Sequence, residues 1–315
     1  MTDVAMITGA AGFIGRHLAS YLYEQHLDVH GLDRPAVVRP SDWPGSWHPA
    51  DITDERQISQ IMEGLAPKYI FHFAALIKSH SLAELLAVNV LGTRNLLESI
   101  AKNQSPAKVL IAGSSAEYGL SYPEEMPLGE QSKLRPLTPY GVSKIAQTTV
   151  GIHYAYRYGL NVICTRTFNV TGPGEPASLV CSAFARQIAQ IEFGIRPPTL
   201  FAGNLKSLRD YTDVRDAVKA YWAAAQQGTK GLIYNVCSGR PVLIGEVLKI
   251  LCELGGLPVE IRETEGENPT ADVPVQYGDF TRLNLATGWS PTTPLSDSLS
   301  DLLEYWRHRL SDGTN

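Results

Sequence analysis

A glycine-rich loop near the start of the chain, TGAAGFIG at residues 8–15, constrains the fold most strongly. It lies between an apolar run typical of a strand, VAMIT, and a run with helical periodicity, RHLASYLYEQHL. Gly9 suits a tight turn, Gly12 lets the backbone approach a ligand, and Gly15 allows the helix to pack closely on the strand. The N–H groups at the start of that helix suit a pyrophosphate. The loop predicts a dinucleotide-binding turn, with a tight connection that binds nothing as the alternative.

Strand-like and helix-like runs alternate through the first half of the chain. VHGLD, YIFHFAA, KVLIAGSS and NVICTRTFN are typical of buried strands, and ERQISQIMEGL and YGVSKIAQTTVGIHYAYRYG show helical spacing. This order predicts an α/β fold, a Rossmann-type doubly wound parallel sheet covered by helices on both faces. Prolines interrupt the alternation after Gly172. We therefore expect a dinucleotide-binding domain at 1–169 and a smaller mixed α/β substrate-binding domain at 170–315, with some segments returning to the first.

Composition argues against several classes of function. The 315 residues carry a net charge of −5 and no basic block, so nucleic acid is not the expected partner. The four cysteines are far apart and the histidines lack ligand spacing, which predicts reduced thiols and no metal site. No apolar run approaches the roughly 18 residues of a membrane span, and no signal-peptide pattern precedes Met6. We expect a cytoplasmic protein that does not bind membranes.

An acidic residue at the end of the second predicted strand bears on the choice of cofactor. Asp33 lies 18 residues after Gly15. A carboxylate there accepts hydrogen bonds from the adenosine ribose and repels a 2′-phosphate, which favours NAD(H). The neighbouring Arg34 would attract that phosphate, so NADP(H) stays open.

The segment YGVSK places Tyr140 and Lys144 on one face of a helix, four residues apart. A phenol titrates near pH 10, and acting near neutrality requires lowering its pKa by roughly 3, or about 4 kcal/mol. A lysine ammonium at about 4 Å contributes on that order at an effective dielectric near 20. The pair predicts a general acid/base in which Lys144 lowers the pKa of Tyr140. A surface pair with no function is the alternative.

The order of these motifs resembles the extended short-chain dehydrogenase/reductase family, whose first loop reads TGxxGFIG. The resemblance continues through DITD, HFAA, NVLGT, GSSAEYG, YGVSK, RTFNVTGPGE, RDYTDVRD and YNVCSG to GWSP, and covers essentially the whole chain. It implies a nicotinamide cofactor and a hydride transfer in which Ser114 polarises the reacting oxygen beside Tyr140 and Lys144. The cofactor-binding residues expected from the loop, the acidic position and the resemblance are Gly9, Gly12, Phe13, Ile14, Gly15, Asp33, Arg34, Asp51, Ile52, Ala74, Ala75, Asn89, Tyr140, Lys144 and Phe168.

One position that departs from some family members narrows the reaction. Sugar-nucleotide 4,6-dehydratases of the family carry a glutamate two residues before the tyrosine that corresponds to Tyr118, and epimerase-reductases that form fucose carry a cysteine. This chain has Ala116 there, which neither donates nor accepts a proton. Dehydration and epimerisation at C3 or C5 are therefore disfavoured, and plain hydride transfer is expected. Glu117, one residue further on, is either a substrate contact or a solvated side chain.

The second half of the chain is most similar to reductases of this family that act on GDP-4-keto-6-deoxy-D-mannose and form GDP-D-rhamnose. That similarity implies that Phe168 lies against the nicotinamide, Asn169 and Val180 near the sugar or nucleotide, and Arg209 on the diphosphate, where a guanidinium forks onto phosphate oxygens. A surface ion pair of Arg209 with Asp210 or Asp213 is the alternative. The full set of expected substrate-binding residues is Ser115, Glu117, Asn169, Val180 and Arg209.

The expected function is NAD(P)H-dependent reduction of the 4-keto group of a nucleotide-linked 6-deoxyhexose by a homodimer. A nucleotide-sugar 4-epimerase that retains NAD uses the same Ser/Tyr/Lys set and is the first alternative; a non-enzymatic NAD-sensing module is the second. The nucleotide itself is open, because relatives carry an Arg-Pro-x-Glu-Val stretch where this chain reads NPTADV. Asp272 is a candidate replacement for that glutamate, and the arginine has no counterpart.

Overall fold

The computed structural model describes residues 2–79, 81–264 and 273–313, so Asp272 lies outside the described residues. The strands in these ranges are β1 (Val4–Thr8), β2 (Asp28–Asp33), β3 (Ser46–Pro49), β4 (Tyr69–His72), β5 (Lys108–Ser114), β6 (Asn161–Thr167), β7 (Asn169–Thr171), β8 (Thr199–Ala202), β9 (Leu208–Asp213), β10 (Ile233–Val236), β11 (Pro241–Leu243), β12 (Glu260–Glu263) and β13 (Val275–Gln276). The α-helices are α1 (Phe13–Glu24), α2 (Glu55–Leu65), α3 (Leu82–Leu86), α4 (Gly92–Lys102), α5 (Pro139–Arg157), α6 (Val180–Glu192), α7 (Val214–Gln227), α8 (Ile244–Gly255), α9 (Thr281–Thr287) and α10 (Leu295–Ser311).

Seven strands form one central sheet in the order β10-β6-β5-β4-β1-β2-β3, and every neighbouring pair is parallel. The chain builds β1, β2 and β3 outward in one direction and then crosses to the other side of β1 to form β4. Parallel strands need crossover connections, which the helices supply. The predicted α/β fold with a Rossmann-type doubly wound sheet is confirmed.

The hydrophobic pattern of the strands explains the helical layers on both faces. Along β1, Ala5 and Ile7 face one apolar cluster and Met6 faces another, because successive side chains of a strand point to opposite faces. Helices α1 and α7 cover the first cluster, where Leu18 and Tyr221 are buried. Helices α2, α4 and α5 cover the second. Both faces are therefore apolar, as the continuous strand sequences predict.

The later part of the chain builds smaller sheets beside this core. β9 pairs with β7, β11 and β13, and β12 pairs with β8. Helices α6, α8 and α10 pack together over an apolar cluster that includes Phe184, Leu251 and Leu302. β10 leaves this part of the chain and completes the central sheet beside β6. The domain boundary at 169/170 stays a prediction. In the described ranges no helix is both long and apolar enough to span a membrane.

Candidate active site

Five strand ends of the central sheet carry residues that the sequence assigns to the site. Gly9 follows β1, Asp33 ends β2, Ala74 lies just beyond β4, Ser114 ends β5 and Phe168 follows β6. Because the strands are parallel, these ends lie along one edge of the sheet. This edge includes the point beside β1 where the chain crosses from one side of β1 to the other. Ligands of open α/β sheets bind in the crevice at such a point. The fold therefore brings residues that are far apart in sequence to one cleft.

The glycine-rich loop is built so tightly that side chains cannot replace its glycines. Gly9 has φ of 68°, its N–H donates to the Leu32 carbonyl at 2.9 Å, and a β-carbon on it would lie 2.7 Å from the Ala74 nitrogen. A β-carbon on Gly15 would lie 2.7 Å from the Gly9 carbonyl oxygen. Gly12 is the N-cap of α1, and no side chain of the described residues caps that end. This cradle of backbone at a helix N-terminus fits a pyrophosphate.

Phe13 and Ile14, the next two residues of the loop motif, are partly buried, and their side chains pack against the core under α1. Phe13 also contacts His17 edge to face, with ring centroids 5.5 Å apart. The predicted contact of these two residues with the cofactor therefore falls to their backbone N–H groups in the first turn of α1.

Asp33 links the end of β2 to the glycine-rich loop. Its Oδ2 accepts the Ala11 N–H at 3.0 Å and its Oδ1 accepts the Arg34 N–H at 2.9 Å. Each carboxylate oxygen has a second lone pair, so the predicted hydrogen bonds to ribose hydroxyls stay compatible with this position. The Arg34 side chain is exposed beside it.

The predicted residues of the DITD segment lie at the start of α2. Asp51 Oδ1 accepts hydrogen bonds from both the N–H and the hydroxyl of Thr53, at 2.9 and 2.8 Å. Ile52 is buried against Gly92, where a β-carbon would lie 2.8 Å from Ile52 Cγ2. Asp51 thus shapes this turn through its side chain, and Ile52 anchors it.

The segment after β4 is held in place by a buried amide. Ala74 donates its N–H to Thr8 Oγ1 at 3.2 Å, and both Ala74 and Ala75 are partly exposed. Asn89 is 0% exposed and bonds both backbone groups of Leu76, at 2.7 and 3.0 Å, and the Ser143 hydroxyl at 2.9 Å. The polar atoms of Asn89 bond the protein and position the loop after β4, and its predicted contact with the cofactor stays a prediction.

Ser114, Tyr140 and Lys144 come together at the end of β5 and the first turns of α5. The Ser114 hydroxyl lies within range to hydrogen-bond the Tyr140 oxygen and so opposes a rise in the pKa of the phenol. The Lys144 ammonium lies 6.0 Å from the Tyr140 ring centroid, donates to the Ala112 carbonyl at 2.6 Å, and also bonds the side chain of Gln147. Helix α5 begins at Pro139 with the Thr138 hydroxyl as its cap, which fixes Tyr140 in its first turn.

The electrostatics of this trio differ from the expected ones in one respect. Burial, reinforced by the charge of Glu117 and opposed by the Ser114 hydrogen bond, raises the pKa of Tyr140 to about 12. Burial lowers the pKa of Lys144 to about 8, although Glu117 opposes the change. In this structure burial outweighs the lowering of the pKa of Tyr140 that the sequence predicts from Lys144, and the predicted role of Lys144 stays a prediction. The phenol holds its proton at neutral pH, which is the state that a proton donor requires.

Three residues predicted to contact substrate or cofactor are buried. Glu117 is 0% exposed and forms an ion pair with Arg166, with Nε and Oε2 2.8 Å apart. Its carboxylate points into the core, which does not favour the predicted substrate contact. Ser115 is buried in the same turn. Phe168 is 4% exposed and packs with Tyr118, so it presents almost no surface to a nicotinamide ring.

The other three predicted substrate residues share one open cavity of about 480 Å³. Asn169 reaches it from β7, Val180 from the first turn of α6 and Arg209 from β9. The Asn169 amide donates to the Asp210 carbonyl at 2.9 Å, which fixes its orientation. The structure thus gathers these three residues from strands and a helix that are 11 to 40 positions apart in sequence.

The cavity wall also contains groups that sequence reasoning missed. Glu175 is buried, accepts the Thr171 hydroxyl at 2.7 Å and lines the cavity, as Tyr211 does. Burial raises the pKa of Glu175 to about 8. The only signal in the sequence was the position of Glu175 at the end of TGPGE, within a motif already quoted for the resemblance. Its contact with the cavity depends on the loop between β7 and α6.

Comparisons with known proteins agree with this architecture. The model of the NAD dependent epimerase/dehydratase family matches residues 5–237. GDP-6-deoxy-D-mannose reductase of Pseudomonas aeruginosa is 29% identical over 99% of this chain and 100% of its own length. GDP-6-deoxy-D-talose 4-dehydrogenase of Aggregatibacter actinomycetemcomitans is 28% identical, over 88% and 89% of the two chains. The solved structure of RMD from Pseudomonas aeruginosa complexed with NADPH is 28% identical with a TM-score of 0.85, and covers 98% of this chain and 100% of that one.

The match extends across the glycine-rich loop, the Ser/Tyr/Lys trio and most of the cavity-forming strands, which all lie within the matched residues. The resemblance identified from the motifs is confirmed. So is the cofactor class, a nicotinamide dinucleotide. The chain belongs to the NAD dependent epimerase/dehydratase family.

Proposed function

We propose that this protein reduces the 4-keto group of a nucleotide-linked 6-deoxyhexose with NAD(P)H, and that its substrate is GDP-4-keto-6-deoxy-D-mannose and its product GDP-D-rhamnose. Two relatives at 28–29% identity, a GDP-6-deoxy-D-mannose reductase and a GDP-6-deoxy-D-talose 4-dehydrogenase, support an oxidation-reduction at C4 of such a sugar. Within the described residues, the site supplies the groups that this reaction needs.

The single observation that carries the proposal is the composition of the turn after β5. Ala116 is its partly exposed residue beside α5, and it has no proton to give or take. Glu117, the carboxylate next in sequence, is fully buried and paired with Arg166. The turn thus presents no acid or base for removing a proton at C5, and this favours reduction over dehydration.

The residues of the trio divide the work of ketone reduction. The Tyr140 phenol donates its proton to the ketone oxygen as that oxygen becomes a hydroxyl. The Ser114 hydroxyl donates a hydrogen bond to the same ketone oxygen and orients it. The Lys144 ammonium stabilises the negative charge that develops at Tyr140. A bound nicotinamide cofactor supplies the hydride for carbon C4. Hydride and proton together convert C=O to CH–OH, so the step is balanced.

The residues that would hold the cofactor are the backbone of the glycine-rich loop for the pyrophosphate and Asp33 for the adenosine ribose. Gly9 and Gly15 allow the loop to pack closely without side chains that would cover the N-terminus of α1. An anion can therefore reach this helix end, and the loop fits a pyrophosphate. On the substrate side, Arg209 would bind the diphosphate, with Asn169 and Val180 near the sugar or base. The position of these three residues on the wall of one cavity supports the assignments.

We also infer a homodimer. Val142 and Tyr156 are exposed on α5, with the partly exposed Ile145 and Ile152 between them at helical spacing. Such an outward apolar stripe on a long helix suits a symmetric helix-to-helix contact. Sedimentation of the purified protein tests this, with Val142→Glu expected to shift it towards monomer. The predicted cytoplasmic location stays a prediction.

The decisive experiment incubates the protein with GDP-4-keto-6-deoxy-D-mannose and NADH deuterated at the transferred position. Deuterium at C4 alone, located by NMR, is the expected result, and the configuration at C4 distinguishes rhamnose from 6-deoxytalose. Label elsewhere would refute a plain reductase. Reaction only with a UDP-, dTDP- or CDP-linked sugar would retain the reaction type and correct the nucleotide. A protein that purifies with bound NAD and interconverts 4-epimers without net oxidation would instead be the 4-epimerase.

A further inference from the structure

A buried ion pair lies next to the reaction centre and takes no part in the chemistry proposed above. Glu117 and Arg166 are 0% and 4% exposed, and Nε and Oε2 are 2.8 Å apart. Burying two charges costs several kcal/mol per ion before their attraction offsets it. A hydrophobic pair would fill this space without that cost, so the contacts of the two charged groups must account for their presence.

The Glu117 carboxylate holds the backbone of the predicted catalytic serine. Its Oε1 accepts the Ser114 N–H at 3.0 Å and the Thr148 hydroxyl at 3.1 Å. Gly113 makes room for it, because a β-carbon there would lie 2.4 Å from Oε1. Together with Arg166, the described partners of this carboxylate are all donors, which suits its ionised form. The carboxylate therefore ties β5, α5 and β6 together at Ser114.

The same carboxylate is the negative charge that faces Lys144. It raises the pKa of Lys144 against the opposing effect of burial. Burial raises the pKa of Glu117 itself, and Arg166, the Ser114 N–H and Lys144 act against that rise. The other titratable groups around Lys144 are His72 of β4, Cys164 of β6 and Tyr140 of its own helix. Burial keeps His72 neutral with a pKa of about 3 and raises the pKa of the Cys164 thiol, which keeps it protonated. Glu117 is the acid of this group whose described partners are all hydrogen-bond donors, so its contacts favour the ionised form.

We propose that the Glu117–Arg166 pair is a positioning element of the reaction centre, which fixes Ser114 through its backbone and supplies the negative charge that faces the Lys144 ammonium. Arg166 holds the carboxylate in place, bonds the Glu130 carbonyl at 3.0 Å and lies over the Tyr118 ring, 4.9 Å from its centroid. The part of this inference that concerns turnover rests on the proposed function; the part that concerns Lys144 does not.

The test compares Glu117→Gln with the wild type in the ligand-free protein. NMR of isotope-labelled lysine side chains follows the titration of Lys144, which is assigned by its loss in Lys144→Met. Loss of the negative charge should weaken proton binding at Lys144 about tenfold, moving its midpoint from about 8 to about 7. Glu192→Gln removes the same charge from an ion pair with Arg307, between α6 and α10, and should leave the midpoint unchanged. An unshifted Lys144 in folded Glu117→Gln overturns the proposal.

A second set of variants covers the case in which Glu117→Gln does not fold because Arg166 is left unpaired. Glu117→Gln combined with Arg166→Met removes both charges and should fold, with kcat reduced at least tenfold and NADH binding kept. Glu117→Asp keeps the charge but withdraws the carboxylate from Ser114 by one methylene, so it should keep the Lys144 midpoint and lose kcat. Wild-type kcat in both variants overturns the positioning role. If the wild type reduces no keto sugar, the proposed function fails, while the titration still decides the role of Glu117.

Discussion

The cofactor cleft is formed mainly by backbone atoms, whereas the substrate cavity is formed mainly by side chains. In the cleft, the loop that we assign to the pyrophosphate is closely packed backbone, and a β-carbon on Gly9 or Gly15 would collide with neighbouring backbone at 2.7 Å. In the cavity, side chains from β7, α6 and β9 converge, with Asn169, Val180 and Arg209 on its wall. Cofactor binding should therefore be lost when side-chain atoms are added in the cleft, and substrate binding should be lost when side-chain atoms are removed from the cavity.

The reaction centre between these regions combines both properties. Ser114 is held by its backbone N–H, whereas in our proposal Tyr140 and Lys144 act through their side chains. A substitution in the reaction centre can therefore separate cofactor binding from catalysis. A side chain that acts only in the chemical step can be removed without loss of cofactor binding in the cleft.

The largest effect is expected for Tyr140→Phe. It removes the proton donor and the hydrogen bond to Ser114 but leaves the glycine-rich loop intact. If Tyr140 is the proton donor that we propose, kcat should fall by about 10²–10⁴-fold, the contribution typical of general acid catalysis, with NADH binding nearly unchanged. Stopped-flow turnover and fluorescence titration of NADH measure the two quantities. Retained turnover, or loss of NADH binding, would contradict the separation of cleft from chemistry.

Gly9→Ala should do the reverse and damage the cleft first. The added β-carbon meets the Ala74 nitrogen at 2.7 Å in a backbone with φ of 68°, so loop and strand must separate. We expect NADH to bind on the order of 100-fold more weakly, since a displacement near 1 Å carries such a cost, and unfolding free energy to fall by about 1–3 kcal/mol. Gly64→Ala is the control: its β-carbon meets nothing within 4 Å inside α2, and it should stabilise by about 0.5–1 kcal/mol. Equal effects of the two substitutions would break the comparison.

Local patterns explain how much of the cleft could be predicted. Gly9, Asp33 and Ser114 each lie at a strand end, and strand ends follow directly from apolar runs and the parallel order. Tyr140 and Lys144 follow from helical spacing. Whether a side chain at such an end faces the cleft or the core depends on packing partners from elsewhere. The surroundings of Asn89 and Glu117 could therefore not be predicted, because their partners Leu76, Ser143, Thr148 and Arg166 come from other elements.

The cavity could be predicted only through resemblance to a family. Its walls come from short strands and loops after Gly172, where prolines interrupt the periodicity. Glu175 and Tyr211 were missed for this reason, since no spacing in the sequence relates them to Arg209. The direction of the pKa shift of Tyr140 could not be predicted from the sequence, because helical spacing indicates the Coulomb attraction of Lys144 but not how deeply the phenol is buried.

Arg209→Met should be the clearest loss of the substrate cavity. The substitution keeps an apolar stem and removes the guanidinium that we assign to the diphosphate. A hydrogen bond to a charged group contributes about 1.5–3 kcal/mol, so KM for the nucleotide sugar should rise roughly 10- to 150-fold with kcat and NADH affinity little changed. Arg56→Met, which removes an exposed arginine of α2, is the matched control and should have no effect. A fall in kcat without a change in KM would contradict the assignment of Arg209 to the diphosphate of the substrate.

The smallest expected effect is a change of cofactor preference, and it tests whether the cleft has any side-chain selectivity. Asp33 accepts the Ala11 N–H at 3.0 Å and, in our assignment, the ribose hydroxyls, so its charge opposes a 2′-phosphate. Asp33→Ala should lower kcat/KM for NADH several-fold and raise it for NADPH, with the exposed Arg34 left to attract the phosphate. Asp33→Asn keeps the size and removes only the charge, so it should shift the ratio in the same direction with less loss of NADH activity. The ratio of kcat/KM for the two cofactors measures each shift. A wild type that already strongly prefers NADPH would show that Arg34 governs this end of the cleft, and that side chains as well as backbone determine what the cofactor half binds.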